Sequence, residues 1–325
     1  MNVAARWAVP ILALSVIHSA AIAAADAYPV RPIRLIIPFG PGASNDIVAR
    51  IIAPRLSEGL GQSVVVDNRT GAGGIVAAEL VAQAQPDGHT ALMGSPGPLV
   101  VNPLLMPKLS YNPQRDFAPV SLVSIVPGVL LVNPATPVKS VKELIALAQG
   151  KPGQLNYAST GQGSVPHLSG ELFKVLAKVD LVHVPYKNSS QGYIDVIAGQ
   201  VQAMFFNLPG PLPHVKAGRL RALAVSSVKR AEQVPNVPTV IEAGIPDFEV
   251  TVWQGYAVPR GTPQTYVSKI HAAMMKALES PDLKQRFYDN GVSAEPMTPE
   301  AFRKFVQAET AKWKKVIAIS GAKLE

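Results

Sequence analysis

Two stretches of the chain place glycines, small hydroxyl residues and a titratable group in the same order. The first is Gly40-Pro41-Gly42-Ala43-Ser44-Asn45-Asp46, which follows an apolar run ending at Phe39 and leads at once into a helical pattern. The second is Ala158-Ser159-Thr160-Gly161-Gln162-Gly163-Ser164, again between a strand-like and a helix-like segment, with His167 one turn inside the helix. Glycine lets a backbone approach a ligand closely, and the free N–H groups of a helix's first turn hold an anion without any cationic side chain. Two such loops facing each other across a cleft would each hold a carboxylate. The same residues also allow a purely structural reading. Ser44 or Asn45 caps a helix, Asp46 balances its dipole, and His167 bonds to a loop carbonyl. A third cluster, Gly71, Gly73 and Gly74 in TGAGG, reads as a structural turn.

Other chemistries fail on residue type or spacing. The chain has no cysteine, so disulfides, thiolate metal sites and cysteine nucleophiles are excluded. No G-x-S-x-G elbow is present, since Ser95 sits in MGSPG and Ser169 in HLSGE. His89, His167, His183, His214 and His271 form no H-E-x-x-H pair or similar metal motif, and no cofactor is called for. The first loop lacks the Gly-Lys-Ser/Thr of a phosphate-binding loop and the G-x-G-x-x-G of a dinucleotide fold. Lys187, at the end of LVHVPYK, reads equally as a partner for an anionic ligand or as a solvated strand-end lysine. Trp253 and Tyr256 in VWQGYAVP read as strand residues lining a cleft or a core, with core the favoured reading.

The elements that must position these loops follow from periodicity. IRLIIPF (33 to 39) reads as a buried strand, 45 to 60 as a helix, and VVVDN (64 to 68) and ALMG (91 to 94) as strands. VLLVN (129 to 133), LNYAST (155 to 160), LVHVPY (181 to 186), VQAMFF (201 to 206) and RALAVSS (221 to 227) are further strands alternating with helices. Two helical patterns, 264 to 279 and 298 to 318, occupy the last 65 residues. This alternation predicts an α/β protein with mainly parallel sheets, whose ligands sit at the carboxyl ends of strands. Prolines stiffen the loops PGASND, SPGPLVVNPLLMP and VPRGTP.

Residues 1 to 25 differ in composition. Arg6 is their only charge, an apolar run extends from Trp7 to Ile17, and an alanine-rich stretch offers cleavage after Ala25 or Ala27. This predicts a signal peptide, a periplasmic location and a mature chain beginning near Asp26 or Tyr28. The whole chain carries a net charge of +8 over 325 residues, with 30 Lys and Arg spread thinly and only 6% aromatics. A nucleic-acid binder concentrates its basic residues and interleaves aromatics, so no nucleic-acid partner is expected. The positive field instead suits small anions.

Over essentially the whole mature chain, many segments resemble one family. YPVRPIRLIIPFGPGASNDIVAR, NRTGAGG, PDGHT, RDFAPVSLV, KSVKELIALA, GQLNYASTGQGSVPHLSGELF, VHVPYK, NLPGPLPHVKAGRLRALAVSS and VPTVIEAG look like the Bug (TctC-like) receptors of tripartite tricarboxylate transporters. The resemblance implies two Rossmann-like α/β lobes with one ligand in the cleft between them, closing by hinge motion. It places residues 28–125 and 226–325 in a discontinuous first lobe and 126–225 in a second. Hinge strands would lie near Leu122 to Val126 and Ala222 to Ser226. It further implies a carboxylate held largely by backbone N–H groups and waters. The carried-over ligand-binding set is Phe39, Gly40, Gly42, Ala43, Ser44, Asp46 and Ser95 from the first lobe. From the second come Ser159, Thr160, Gly161, Gly163, Ser164, His167, Lys187, Phe206 and Asn207.

Three departures bear on the ligand. The family commonly has Gly-Gly followed by Ala-Thr-Asp where this chain has Gly42-Ala43-Ser44-Asn45-Asp46, Lys-Gly where it has Lys187-Asn188, and Asp where it has Phe206. In relatives that bind amino acids, that Asp is placed to receive the ligand ammonium; a ring there implies an amino-free carboxylate, aromatic or dicarboxylic. This holds if Phe206, rather than its strand neighbour Phe205, faces the cleft. The expectation is a monomeric receptor that hands its ligand to membrane transporter subunits or a signalling partner. The alternative is an exported enzyme acting on a small acid, with His167 or Asp46 as general base.

Overall fold

The computed structural model describes residues 28–106, 108–187 and 189–320, so the expected signal peptide, its cleavage sites and Asn188 lie outside the described residues. The first half of the fold runs β1 (Ile33–Ile37), α1 (Ser44–Leu60), β2 (Val64–Asn68), α2 (Ile75–Ala82) and β3 (Thr90–Gly94), then a π-helical turn at Gly97–Val101. A long strand, β4 (Phe117–Val132), follows. The pattern then repeats as α3 (Val141–Gly150), β5 (Leu155–Ser159), α4 (Val165–Ala177), β6 (Leu181–Pro185), α5 (Ser189–Ile197) and β7 (Ala203–Asn207). The chain ends with α6 (Leu212–Lys216), β8 (Arg221–Val225), β9 (Thr251–Pro259), α7 (Gln264–Glu279), α8 (Pro281–Asp289), β10 (Ser293–Ala294) and α9 (Pro299–Ser320).

Two sheets result. In the first, β2, β1 and β3 are parallel, β9 pairs antiparallel with β3, and β4 pairs antiparallel with β9 from Phe117 to Pro127. In the second, β6, β5 and β7 are parallel, and β4 joins antiparallel to β7 from Gly128 and to β8 from Val129. One strand therefore belongs to both sheets and changes partners at Pro127–Gly128. After β8 the chain stays with the second sheet, since Val225 donates to Pro238 O and accepts from Val240 N–H, and it re-enters the first sheet only at β9. The expected divide at 226 falls at the end of β8, and the return crossing runs through Ser226 and Val250, which are hydrogen-bonded to one another.

The parallel orders β2-β1-β3 and β6-β5-β7 are equivalent, so the first strand of each half stands at the point where the connections diverge to opposite sides. The loop after that strand opens into a crevice at the carboxyl edge of its sheet. Both glycine loops occupy this position. Helices cover both faces of these strands, which is why IRLII and ALMG are almost continuously apolar and buried. On β7 the alternation is visible: Phe205 packs against Phe173 of α4, whereas Phe206 packs edge-on to Tyr193 of α5. The α9 helix straps the halves, contacting β4 and α4. Its buried Glu309 accepts from the indole N–H groups of Trp253 at 2.9 Å and Trp313 at 3.1 Å. Among the described residues, no helix is long and apolar enough to cross a membrane.

Candidate functional site

A small cavity lies where the two loops meet. Phe39, Ala43, Ser44, Asn45, Ser95, Gly97 and Val252 line it from one side, and Thr160, Ser164, Val165, Pro166 and Asn207 from the other. The sides touch: Asn207 Nδ2 donates to Ser44 Oγ at 2.9 Å, across 163 residues of sequence. Gln254 Nε2 donates to the same oxygen at 3.2 Å, and Ser124 Oγ donates to Gln254 Oε1 at 2.6 Å. Both acceptor sites of Ser44 Oγ are thus taken. Its proton is left to donate, and no described residue accepts it.

The first turn of α1 adds backbone donors. Ala43 is the N-cap and supplies no side-chain cap, so the N–H groups of Ser44 and Asn45 have no acceptor among the described residues. Ser95, at the carboxyl end of β3, is 2% exposed, and its Oγ is buried with no hydrogen-bond partner. A buried hydroxyl left without a partner is costly, and here it borders the cavity. The first lobe therefore brings two hydroxyls that have no acceptor, and helix-terminal N–H groups, to the lining of one small volume, an arrangement suited to an anion.

The second loop is organised differently, because most of its donors serve the loop itself. Gly161 N–H donates to Ser159 Oγ at 3.1 Å, Gly163 N–H to His167 Nδ1 at 3.3 Å, and Ser164 N–H to Gly161 O at 3.2 Å. Ser164 Oγ donates to Gly161 O at 2.6 Å and caps the His167 N–H. What it turns towards the cavity is Thr160, the unbonded N–H of Val165, and the apolar edge of Pro166.

Seven of the expected residues line the cavity: Phe39, Ala43, Ser44, Ser95, Thr160, Ser164 and Asn207. The remainder stand behind it. Gly40 accepts from Ala43 N–H, and Gly42, at φ 80°, donates its N–H to Asp46. Asp46 is 3% exposed and binds Arg50 at 2.9 Å and Asn68 at 3.0 Å, so its carboxylate fixes the loop and does not face the cleft. Ser159 Oγ lies 2.6 Å from His183 Nε2 and Gly161 turns the chain at φ 107°. His167 packs at a tilt against His183, with ring centroids 4.3 Å apart. Burial holds the His167 imidazole below its usual range, and burial with the neighbouring His167 pushes His183 down to about 4. Lys187 is exposed and off the cavity. Phe206 sits against Tyr193 and borders only a narrow crevice beside α4. Neither Phe205 nor Phe206 lines the interlobe cavity, since helices cover both faces of β7 and the cavity lies at its end, at Asn207.

Sequence reasoning did not single out Gly97, Val165, Val252 or the bridging Gln254. Gln254 carried a signal, as the lone amide in the apolar strand VWQGYAVP.

Fold and site together define a two-lobed α/β binding protein of the periplasmic solute-binding type. Residues 48–321 match the family described as tripartite tricarboxylate transporter family receptor, TctC, and the chain belongs to that family. Protein BugT of Bordetella pertussis is 37% identical over 326 residues, covering all of both chains. Among solved structures, R. palustris Rpa4515 with adipate is 38% identical with a TM-score of 0.89, covering 91% of this chain and 100% of that one. MatC (Rpa3494) from Rhodopseudomonas palustris with bound malate is 36% identical with a TM-score of 0.85, covering 89% and 100%.

Proposed function

We propose that this chain is a periplasmic, monomeric receptor that captures a small, amino-free organic carboxylate between its lobes and delivers it to the membrane subunits of a tripartite tricarboxylate-type transporter. The observation that carries the reading is the unpartnered Ser95 hydroxyl, buried beside the uncapped start of α1 and the unaccepted proton of Ser44. A carboxylate accepts from all three at once, each charge-assisted bond contributing about 1.5 to 3 kcal/mol. The adipate and malate bound by the two Rhodopseudomonas relatives support the class of ligand. Among the described residues no side-chain carboxylate lines the cavity to receive an ammonium, which favours amino-free acids.

The cavity measures only about 20 Å³, room for about one water. A ligand the size of adipate therefore enters by parting the lobes at the Pro127–Gly128 and Ser226–Val250 crossings. Neither His167 nor Asp46, the candidate general bases of the enzyme reading, faces the cavity, and this supports capture over turnover. The deciding experiment incubates purified protein with adipate, malate, phenylacetate, glutamate and aspartate, following heat of binding and solute concentration together. Stoichiometric binding of an amino-free acid without depletion is the expected result. Progressive loss of an acid, or a clear preference for glutamate or aspartate, overturns the reading.

A further inference from the structure

A second cavity, of about 330 Å³, opens on the first lobe. Leu99, Phe117, Phe302 and Val306 give it an apolar lining, and Arg260 and Arg303 stand at it. The lining comes from five separate places: the π-helical turn, the short helix Pro113–Asp116, the start of β4, the end of β9 with the residue after it, and the first turns of α9. The hydrophobic lining is partly core. Phe302 and Phe117 are 1% and 4% exposed, and the Phe302 ring stands edge-on to Trp253.

The two arginines are exposed, and among the described residues neither forms a salt bridge with an acid, although the Glu300 carboxylate attracts Arg303. Glu300, one turn before Arg303, bonds to Lys304 at 2.9 Å. Asp116, whose carbonyl accepts from the Arg260 backbone, gives its carboxylate to Arg115 at 2.6 Å. Two guanidinium groups beside an apolar cup match a molecule with an apolar body and one anionic head, which guanidinium binds in bidentate fashion. The volume is in the range of small-molecule sites. It exceeds that of the interlobe cavity by more than tenfold, so the two cannot favour the same occupant in this conformation.

We propose that this pocket is a second ligand site, separate from the cleft, for an apolar monocarboxylate of the alkanoate or arylalkanoate class. It neighbours the cleft through the π-helical turn: Gly97 lines the cleft, Leu99 lines the pocket, and Leu99 N–H donates to Ser95 O at 3.2 Å. π-turns of this kind recur at functional sites.

The test is calorimetry of the mature protein with octanoate and with the neutral octanamide as probes. Three variants accompany it: the exposed pair Arg260→Gln/Arg303→Gln, the pocket-filling Val306→Trp, and Gly42→Val in the cleft. Wild type is expected to bind octanoate, the double arginine variant at least tenfold more weakly, and Val306→Trp not at all. Gly42→Val retains octanoate binding, and octanamide binding does not respond to the arginine changes. The proposal is overturned if octanoate fails to bind at millimolar concentration, if it binds the arginine pair variant as well as wild type, or if Gly42→Val abolishes its binding while Val306→Trp does not. A failure of cleft binding by dicarboxylates leaves these readouts unaffected, so the two sites are judged apart.

Discussion

Replacing Ser95 by Ala separates the ligand's contribution from the fold's, because the two effects have opposite sign. In the structure Ser95 Oγ has no partner, so its removal deletes a buried, unsatisfied hydroxyl worth about 1 to 3 kcal/mol of penalty. The space left by one oxygen is small, and at about 24 cal/mol per Å³ it offsets only about 0.5 kcal/mol of that gain. The unliganded variant should therefore be more stable than wild type by about 1 kcal/mol, raising Tm by about 1.5 °C for a chain of about 300 residues. Binding should move the other way. Loss of one charge-assisted hydrogen bond of about 1.5 to 3 kcal/mol raises Kd by about 10- to 150-fold. Thermal unfolding without ligand, and calorimetry with the tightest carboxylate of the panel, read the two terms independently. A variant that binds as tightly as wild type, or one that loses stability while keeping its affinity, refutes the assignment of Ser95 as a ligand donor.

Gly161→Val should weaken carboxylate binding by tenfold or more, since φ 107° strains any β-branched residue by about 1 to 3 kcal/mol, whereas the exposed Lys187→Ala should change Kd less than threefold. Calorimetry on the same ligand checks both. Glu309→Leu leaves two buried indole N–H groups without an acceptor and should destabilise the protein by about 2 to 5 kcal/mol in urea unfolding, with Glu309→Gln far milder because its amide oxygen still accepts. His183 is kept neutral in the folded chain at a pKa of about 4, against 6.5 for the free side chain, so the unfolded state takes up the proton first. Stability should hold above about pH 6.5 and fall as the pH drops towards about 4, and His183→Asn should flatten that part of the profile. Phe206→Asp would place a carboxylate against Tyr193 and should lower Tm rather than admit amino acids to the cleft.

The positions of the two glycine loops were legible because strand, glycine turn and helix are local signals: Ile33–Ile37 and Ser44–Leu60 fall within a residue or two of the expected bounds. The long β4 strand was not. Pro119 and Pro127 break its pattern, so periodicity marks only VLLVN and the segment near Leu122 to Val126 comes from the family resemblance alone, although Pro127 marks the place where the strand leaves one sheet for the other. The α8 helix Pro281–Asp289 went unnoticed because only Leu283 and Phe287 in it are buried. Within the loops, residue type alone could not say which N–H groups are spent internally. Gly42 and Gly163 donate to Asp46 and His167, and only the folded loop shows it. Phe206 illustrates a related limit: strand alternation offers two faces, but helices cover both, and the cavity lies at the strand's end, at Asn207.

The central claim is that a carboxylate sits on the open first turn of α1, beside Ser44 and Ser95 and opposite Val165. Backbone amide NMR of the mature protein, titrated with its tightest carboxylate, reads those donors directly. The account predicts large downfield shifts of the Ser44, Asn45 and Val165 amide protons at saturation, with Gly42 and Gly163 moving little because their N–H groups are already bonded to Asp46 and His167. Saturation with those three amides unmoved, and with the principal shifts clustered around Lys187, would contradict it.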